Sequence, residues 1–334
     1  MIRLGIIGTG VIAHTMAKTA ESVEGVYVSA VGSRSIDKAA AFSDEFGGEI
    51  TPFGSYEELC RSDNVDLVYI ATPHGRHYED AILALTHDKH VFCEKAFTVN
   101  AAEARELVSL ARSKKLFICE AMWPRFNPAV KQVRRWIEEG ELGCVKFAEA
   151  EAGFHGNYDT KSRLFNEAAG GGSLLDMGVY PLSFVSLVFG GTEPDLLTAV
   201  SAKYPNGVDK FVSATLDYHG AYGIITTSIS DSLPTRAAVY GENGFIEVTG
   251  SFINTNCVKL HRYGKEDSVF TCDTGVTGRE FELSAVVDAI NNGRLECSDM
   301  PAGETVTIMN TIDKIKNKIG LQYKKESLYH SYNV

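Results

Sequence analysis

Residues 2–7, Ile-Arg-Leu-Gly-Ile-Ile, form a short apolar run that stops at Gly8-Thr9-Gly10-Val11-Ile12-Ala13, after which Ala13, Ala17 and Ala20 recur at helical spacing. The pattern predicts strand, tight turn, helix. Further apolar runs follow at 26–31, 65–71, 90–93 and 116–119, with helical stretches at 36–46, 77–86 and 101–113 between them. Uniformly apolar strands alternating with helices predict a parallel sheet covered on both faces, the doubly wound α/β architecture. After Gly140 the period changes to two. Strand-like runs at 196–203, 211–218, 222–230, 236–240, 244–249 and 257–263 are punctuated by Pro205-Asn206-Gly207, His219-Gly220 and Gly241-Glu242-Asn243-Gly244, which predicts a largely antiparallel sheet. Helical patterns at 279–292 and 303–319 close the chain, and the second is expected to pack back on the first half. The division expected is 1–122 for a dinucleotide-binding Rossmann domain and 123–334 for an α+β domain that binds substrate and dimerises.

With 334 residues, 44% hydrophobic and 22% charged, the chain has material for two cores and no signature of disorder. The 32 Lys and Arg against 43 Asp and Glu leave a net charge of −11, which disfavours nucleic acid or an anionic membrane as partner. No apolar run in the sequence pattern approaches a bilayer span, so a cytoplasmic protein is expected. The seven cysteines are odd in number and contain no CxxC pair, which suggests reduced, mostly buried thiols.

Gly8-x-Gly10-x-x-Ala13 follows a strand and opens a helix, so the first glycine permits the turn, the second admits a pyrophosphate and the small third residue allows close packing. Phosphate oxygens would rest on the free N–H groups of the helix N-terminus, near Thr9, Val11 and Ile12. The second strand ends in Val31-Gly32-Ser33-Arg34-Ser35 with no acid before Asp37, and Lys38 lies close by. A cation there suits a 2′-phosphate, which favours NADP with NAD still possible. Glu94-Lys95 emerges from the strand at 90–93 onto the carboxyl edge of the sheet, where Lys95 could bind a substrate oxygen or lower the pKa of a neighbouring acid. In Gly170-Gly171-Gly172-Ser173-Leu174-Leu175-Asp176-Met177-Gly178-Val179-Tyr180, Ser173 is expected to cap a helix, with Asp176 and Tyr180 four apart on one face. Beside Lys95 they would form a Lys–Tyr–Asp cluster able to move a proton while a hydride moves. His74-x-x-His77 has no third ligand at sensible spacing, so a helix start is expected there and no metal.

Taken together, Gly8-Thr9-Gly10, Ala71-Thr72-Pro73, Glu94-Lys95 and the block from Gly170 to Tyr180 resemble the Gfo/Idh/MocA oxidoreductases. The segment Glu120-Ala121-Met122-Trp123-Pro124-Arg125-Phe126-Asn127-Pro128, with tyrosine at 180, is similar to the branch of dimeric dihydrodiol dehydrogenases and NADP-dependent D-xylose dehydrogenases. The resemblance implies a Rossmann domain, an open sheet that pairs two copies or builds a dimer of dimers, and an active site between the domains. It further implies hydride transfer to nicotinamide from a hydroxyl of a small cyclic polyol, dihydrodiol or sugar, with Tyr180 as general acid/base, Lys95 lowering its pKa, and Asp176 orienting substrate or Tyr180. Ala71, Thr72, Pro73, His77, Glu94 and Arg163 would join the cofactor site, with Arg163 and Phe165 matching an Arg-x-aromatic element. Trp123, Arg125, Phe154, His155 and Asn157 would line the substrate pocket. The family's Glu-Lys-Pro is Glu94-Lys95-Ala96 here, and because a cis bond before alanine costs about 2.5–4 kcal/mol, a trans 95–96 peptide is expected. Two other readings are a non-catalytic dinucleotide sensor and an enzyme whose tightly bound cofactor cycles between two sugars.

Overall fold

The computed structural model describes residues 1–323. Six strands, β1 (Ile2–Ile7), β2 (Val26–Gly32), β3 (Thr51–Phe53), β4 (Leu67–Ile70), β5 (His90–Glu94) and β6 (Ile118–Ala121), pair in parallel in the order β3-β2-β1-β4-β5-β6. The helices α1 (Val11–Ala20), α2 (Ile36–Glu45), α3 (Tyr56–Arg61), α4 (His74–Thr86) and α5 (Ala101–Lys114) connect them. Sheet order reverses between β1 and β4, so the loops after those two strands diverge and leave a crevice at the carboxyl edge. The interior strands are buried on both faces, with Leu4, Ile6, Val68, Ile70 and Phe92 fully enclosed, which is why their sequence reads as continuous apolar runs rather than alternation. The short β3 and α3 carry too few apolar positions for a periodic signal, and the sequence reading left them out.

A single 3-10 turn (Trp123–Phe126) and α6 (Pro128–Glu138) lead to the second sheet. Its strands are β7 (Val145–Gly153), β8 (Leu196–Lys203), β9 (Asp209–Tyr218), β10 (Ala221–Ser228), β11 (Ala237–Gly241), β12 (Gly244–Thr249), β13 (Cys257–Arg262) and β14 (Ser268–Thr271), in the order β14-β13-β12-β11-β7-β10-β9-β8. All neighbours are antiparallel except β7 and β10. Ala148, Ala150 and Ala152 alternate onto the face covered by α7 (Val179–Val188). Every residue of α7 is buried, as expected of a helix that is apolar all round. The stretch Glu167–Val188 is in fact long and apolar enough to cross a membrane, which corrects the reading that no run approaches that length; 94% of its most apolar 18 residues are buried inside the fold.

The chain closes with α8 (Glu280–Asn291) and α9 (Ala302–Ile319). The last helix lies against α5: Ala101 N–H donates to Asp313 (2.8 Å) and Lys316 Nζ to the carbonyl of Val99 (2.8 Å). Of the seven thiols, Cys60, Cys93, Cys119 and Cys297 are buried, Cys257 and Cys272 are half-buried and Cys144 is exposed.

Candidate active site

A cleft of about 910 Å³ opens over the carboxyl edge of the six-stranded sheet. At its floor Gly8 has φ +104°, and a Cβ there would sit 2.9 Å from the carbonyl oxygen of Ala71, so the loops after β1 and β4 can approach only with glycine at 8. Gly10, by contrast, would meet no protein atom within 4 Å, which leaves the space above it for a ligand. It precedes α1, whose first turn has neither a side-chain cap nor an acidic residue, so N–H groups and the positive end of the helix face the cleft undiminished. Ala13 is fully buried, as close packing of helix on strand requires. These features fit a pyrophosphate.

At the end of β2, Ser33, Arg34, Ser35 and Lys38 line the same cleft. The first carboxylate after the strand is Asp37, on α2 and away from the lining. Tyr56 of α3 adds a phenol near Arg34; burial raises its pKa, Asp80 adds to this, and Arg34 and Arg76 oppose it. The side chains fit a phosphorylated ribose better than a free 2′-hydroxyl. Tyr56 was missed because α3 itself was not predicted.

At the other end stand Glu94, Lys95, Arg163 and Tyr180. Lys95 Nζ donates to the backbone carbonyl of Asp176 (2.6 Å), lies 3.8 Å from its Oδ1 and sits 4.7 Å from the centroid of the Tyr180 ring. Burial works against the Lys95 charge, but Tyr180, Asp176 and Glu94 outweigh it and raise its pKa, so the ammonium is retained. Burial alone would raise the Asp176 carboxyl as well, yet Lys95, Arg163 and His74 together hold it well below the usual range; Arg163 donates to Oδ1 at 2.9 Å. Burial pushes the Tyr180 phenol up, and Lys95 pulls it the other way without reversing the shift. Trp123 donates its indole N–H to the Tyr180 hydroxyl (3.3 Å). Tyr69 donates to Glu94, whose own pKa burial raises.

Three expectations about this region are corrected. The 95–96 peptide is cis. Around it Ala96 is fully buried, its carbonyl meets His77 Nδ1 (2.8 Å), and the following Phe97 N–H donates to Glu120 (3.1 Å). Ser173 caps no helix. Its hydroxyl donates to the buried Asp209 of β9 (2.8 Å), which also takes the Leu174 N–H (2.7 Å), and the backbone runs through a π turn, Leu174–Gly178, before α7 begins. Asp176 and Tyr180 still converge, because both meet Lys95. Arg125 is no pocket residue: it is 3% exposed, with a bidentate grip on Glu304 of α9 (2.7 and 2.8 Å) and a bond to the Ser183 carbonyl of α7 (3.2 Å).

His77 lies beneath the cleft, its two ring nitrogens on the carbonyls of Ala96 and Thr72 (both 2.8 Å), so it joins the Lys95 loop to the Ala71-Thr72-Pro73 loop. Burial pulls its pKa down to about 4. His74 lines the cleft instead; its Nδ1 meets the Gly170 carbonyl at 3.0 Å, and burial pulls it down to about 3. Both open α4. Phe154 is half-buried, and His155 and Asn157 are exposed beyond β7, outside the cleft lining; His155 Nδ1 meets the Ser230 carbonyl at 2.6 Å. Arg279, unanticipated from the sequence, lines the cleft from the turn before α8, its guanidinium 4.6 Å over the Trp123 ring. An arginine at the edge of a predicted helix gives no periodic signal by which it could have been found.

Residues 2–121 match the oxidoreductase family with NAD-binding Rossmann fold, and residues 130–247 match the GFO/IDH/MocA C-terminal domain. A trans-1,2-dihydrobenzene-1,2-diol dehydrogenase of Mus musculus is 33% identical over 333 residues, covering 97% of this chain and 99% of its own. The chain belongs to the Gfo/Idh/MocA family. The corresponding Homo sapiens enzyme is 32% identical over 336 residues, with the same coverage of 97% and 99%. Among solved structures, an aldose-aldose oxidoreductase from Caulobacter crescentus superposes with a TM-score of 0.85 at 21% identity, covering 95% of this chain and 97% of that one. A 3-ketoreductase from Actinomadura kijaniata, solved with NADP and TDP-benzene, gives 0.82 at 24% identity, covering 95% and 98%. At these identities the two structures establish the fold. This Gfo/Idh/MocA chain is therefore an NAD(P)-dependent oxidoreductase.

Proposed function

We propose that the protein is an NADP-preferring dehydrogenase that reversibly oxidises a hydroxyl of a small polyol, dihydrodiol or sugar. The observation that carries this reading is one continuous cleft with Ser33 and Arg34 at one end and Lys95 and Tyr180 at the other. A nicotinamide held in this cleft would supply the hydride acceptor. Tyr180 removes the proton of the substrate hydroxyl at its phenolic oxygen, and returns it in the reverse direction. Lys95 holds its ammonium over the Tyr180 ring, which favours the phenolate, and is placed to bond a substrate oxygen. Asp176 stays ionised and fixes Lys95 and Arg163 in the cleft wall. Trp123 orients the Tyr180 hydroxyl through its indole N–H. Two copies pair through the uncovered face of the eight-stranded sheet.

The test is a fluorescence titration of the purified chain with NADPH and with NADH, followed by NADP-coupled oxidation of trans-dihydrodiols and aldoses. Tighter binding of NADPH and turnover of one of these alcohols are expected. Binding of neither dinucleotide would remove the reading at its base.

A further inference from the structure

The reacting end of the cleft holds more positive charge than its carboxylates balance. Lys95, Arg163 and Arg279 stand there against Asp176 and Glu94. Asp176 already accepts from Arg163 and lies 3.8 Å from Lys95, while Glu94 is engaged by the Tyr69 hydroxyl and the Lys95 N–H (3.2 Å). Arg279 is left over. Among the described residues no carboxylate oxygen lies within 4 Å of its guanidinium, and its one hydrogen bond is from Nη1 to the Thr277 carbonyl (3.2 Å). Its Nε is enclosed and has no partner.

Arg279 is half-buried on the cleft wall, and a ligand that displaces solvent there must answer its charge. The nearest acids do not. Glu94 and Glu282 feel its charge, but burial raises both carboxyls, and neither comes within ion-pair distance. The side chain is nonetheless held in place: the guanidinium stacks on Trp123, the same indole that bonds the Tyr180 hydroxyl. Its turn is pinned as well, because Glu280 accepts the N–H groups of Val276 (3.1 Å) and Thr277 (2.8 Å), and the Thr277 hydroxyl meets that of Thr19 on α1 at 2.7 Å. A fixed, unpaired guanidinium one indole away from the proton-transfer residue is a recognition group for a planar or tetrahedral oxyanion.

We infer that the substrate is an anionic polyol, one whose carboxylate or phosphate is gripped by Arg279 while its reacting hydroxyl lies at Tyr180. The inference rests on the dehydrogenase reading and narrows its substrate class from neutral diols and sugars to their acidic counterparts. Neutral compounds would cover Arg279 without answering its charge, so they bind more weakly.

The test uses three pyranoses that differ at one carbon: D-glucose, D-glucuronate and D-glucose 6-phosphate. Each is titrated calorimetrically into the NADPH-saturated chain and into the chain without nucleotide, for the wild type and for Arg279→Gln. At least one anion is expected to bind about tenfold or more tightly than glucose, as a charge-assisted bond implies. Arg279→Gln should erase that preference and leave NADPH affinity within about twofold, and which anion prevails distinguishes carboxylate from phosphate. Equal affinities for all three sugars, binding by neither anion, or a preference that survives in Arg279→Gln would overturn the inference. So would a loss of NADPH affinity as large as that of the anion, because Arg279 would then serve the dinucleotide. NADPH binding without anion preference leaves the dehydrogenase standing and this inference fallen, whereas binding of no dinucleotide removes both.

Discussion

Tyr180 stands between burial, which raises its pKa, and Lys95, which lowers it, and its hydroxyl has a single donor in Trp123. Tyr180→Phe keeps the ring beneath the Lys95 ammonium and removes only the phenolic hydroxyl, the proton carrier of the proposed reaction. Turnover should fall by about 10²- to 10⁴-fold, the worth of a positioned acid/base, with NADPH affinity unchanged. Steady-state rates beside a dinucleotide titration decide it, and full retained activity would place the proton relay elsewhere. At the far end of the cleft, Arg34 is an exposed side chain that lines the same wall as the Tyr56 phenol. Arg34→Ala should weaken NADPH by about ten- to a hundredfold, as loss of a charge-assisted bond does, and leave NADH within about twofold. Equal losses for the two dinucleotides would deny any role toward the 2′-phosphate.

The loop after β5 is held from below by two groups that its own sequence does not announce. His77 bonds the Ala96 carbonyl, and Glu120, at the end of β6, takes the Phe97 N–H and the hydroxyl of Thr305 on α9 (both 3.1 Å). Burial pushes the Glu120 carboxyl up to about 7 from its ordinary 4.5. The native chain therefore binds a proton there that the unfolded chain has lost, so this contribution to stability is full below pH 4.5 and disappears as the pH rises through 7. His74 and His77, buried and neutral, act in the opposite sense over part of that range, because stability falls as acid charges them in the unfolded chain. Comparing wild type with Glu120→Gln cancels their effect. The urea midpoint of Glu120→Gln, measured relative to wild type, should rise between pH 5 and pH 8; parallel curves would show that Glu120 carries no such proton. The helices and long strands were legible in the sequence because a core-facing stripe repeats at 3.6 or 2 residues. That Gly8, Gly10, Arg34, Lys95 and Tyr180 line one cleft follows from each standing at the end of such an element, where the fold brings ends together. Arg125, His77 and Ser173 were misplaced because their partners, Glu304, Ala96 and Asp209, lie on elements whose approach no local pattern encodes. Arg279 was missed for the same reason.

The six-stranded sheet is covered on both sides, whereas the eight-stranded sheet is covered by α7 on one. Across its other face Tyr222, Phe147, Tyr240, Phe245 and His261 stand in register on five adjacent strands, β10, β7, β11, β12 and β13. The rings of Phe147 and Tyr240 stack at 5.4 Å, Tyr240 and Phe245 at 6.0 Å, and Phe245 and His261 at 4.3 Å, while Tyr222 remains 45% exposed. Such a continuous aromatic row is the composition of an interface core, and flat sheets related by a two-fold axis present it to each other symmetrically. Each copy carries −11, so long-range repulsion opposes the pairing and added salt should strengthen it. Sedimentation velocity should show a species of twice 36.4 kDa, with the dimer fraction rising from low to moderate ionic strength. Tyr222→Lys combined with Phe147→Glu places charges at one end of the row, on β10 and β7, and should give a monomer. The cleft lies on the opposite side of α7, so that monomer should keep its NADPH affinity. A wild-type chain that sediments as a monomer at every salt concentration would remove the interface, and a double variant that loses NADPH together with the dimer would show that the sheet face and the cleft are coupled.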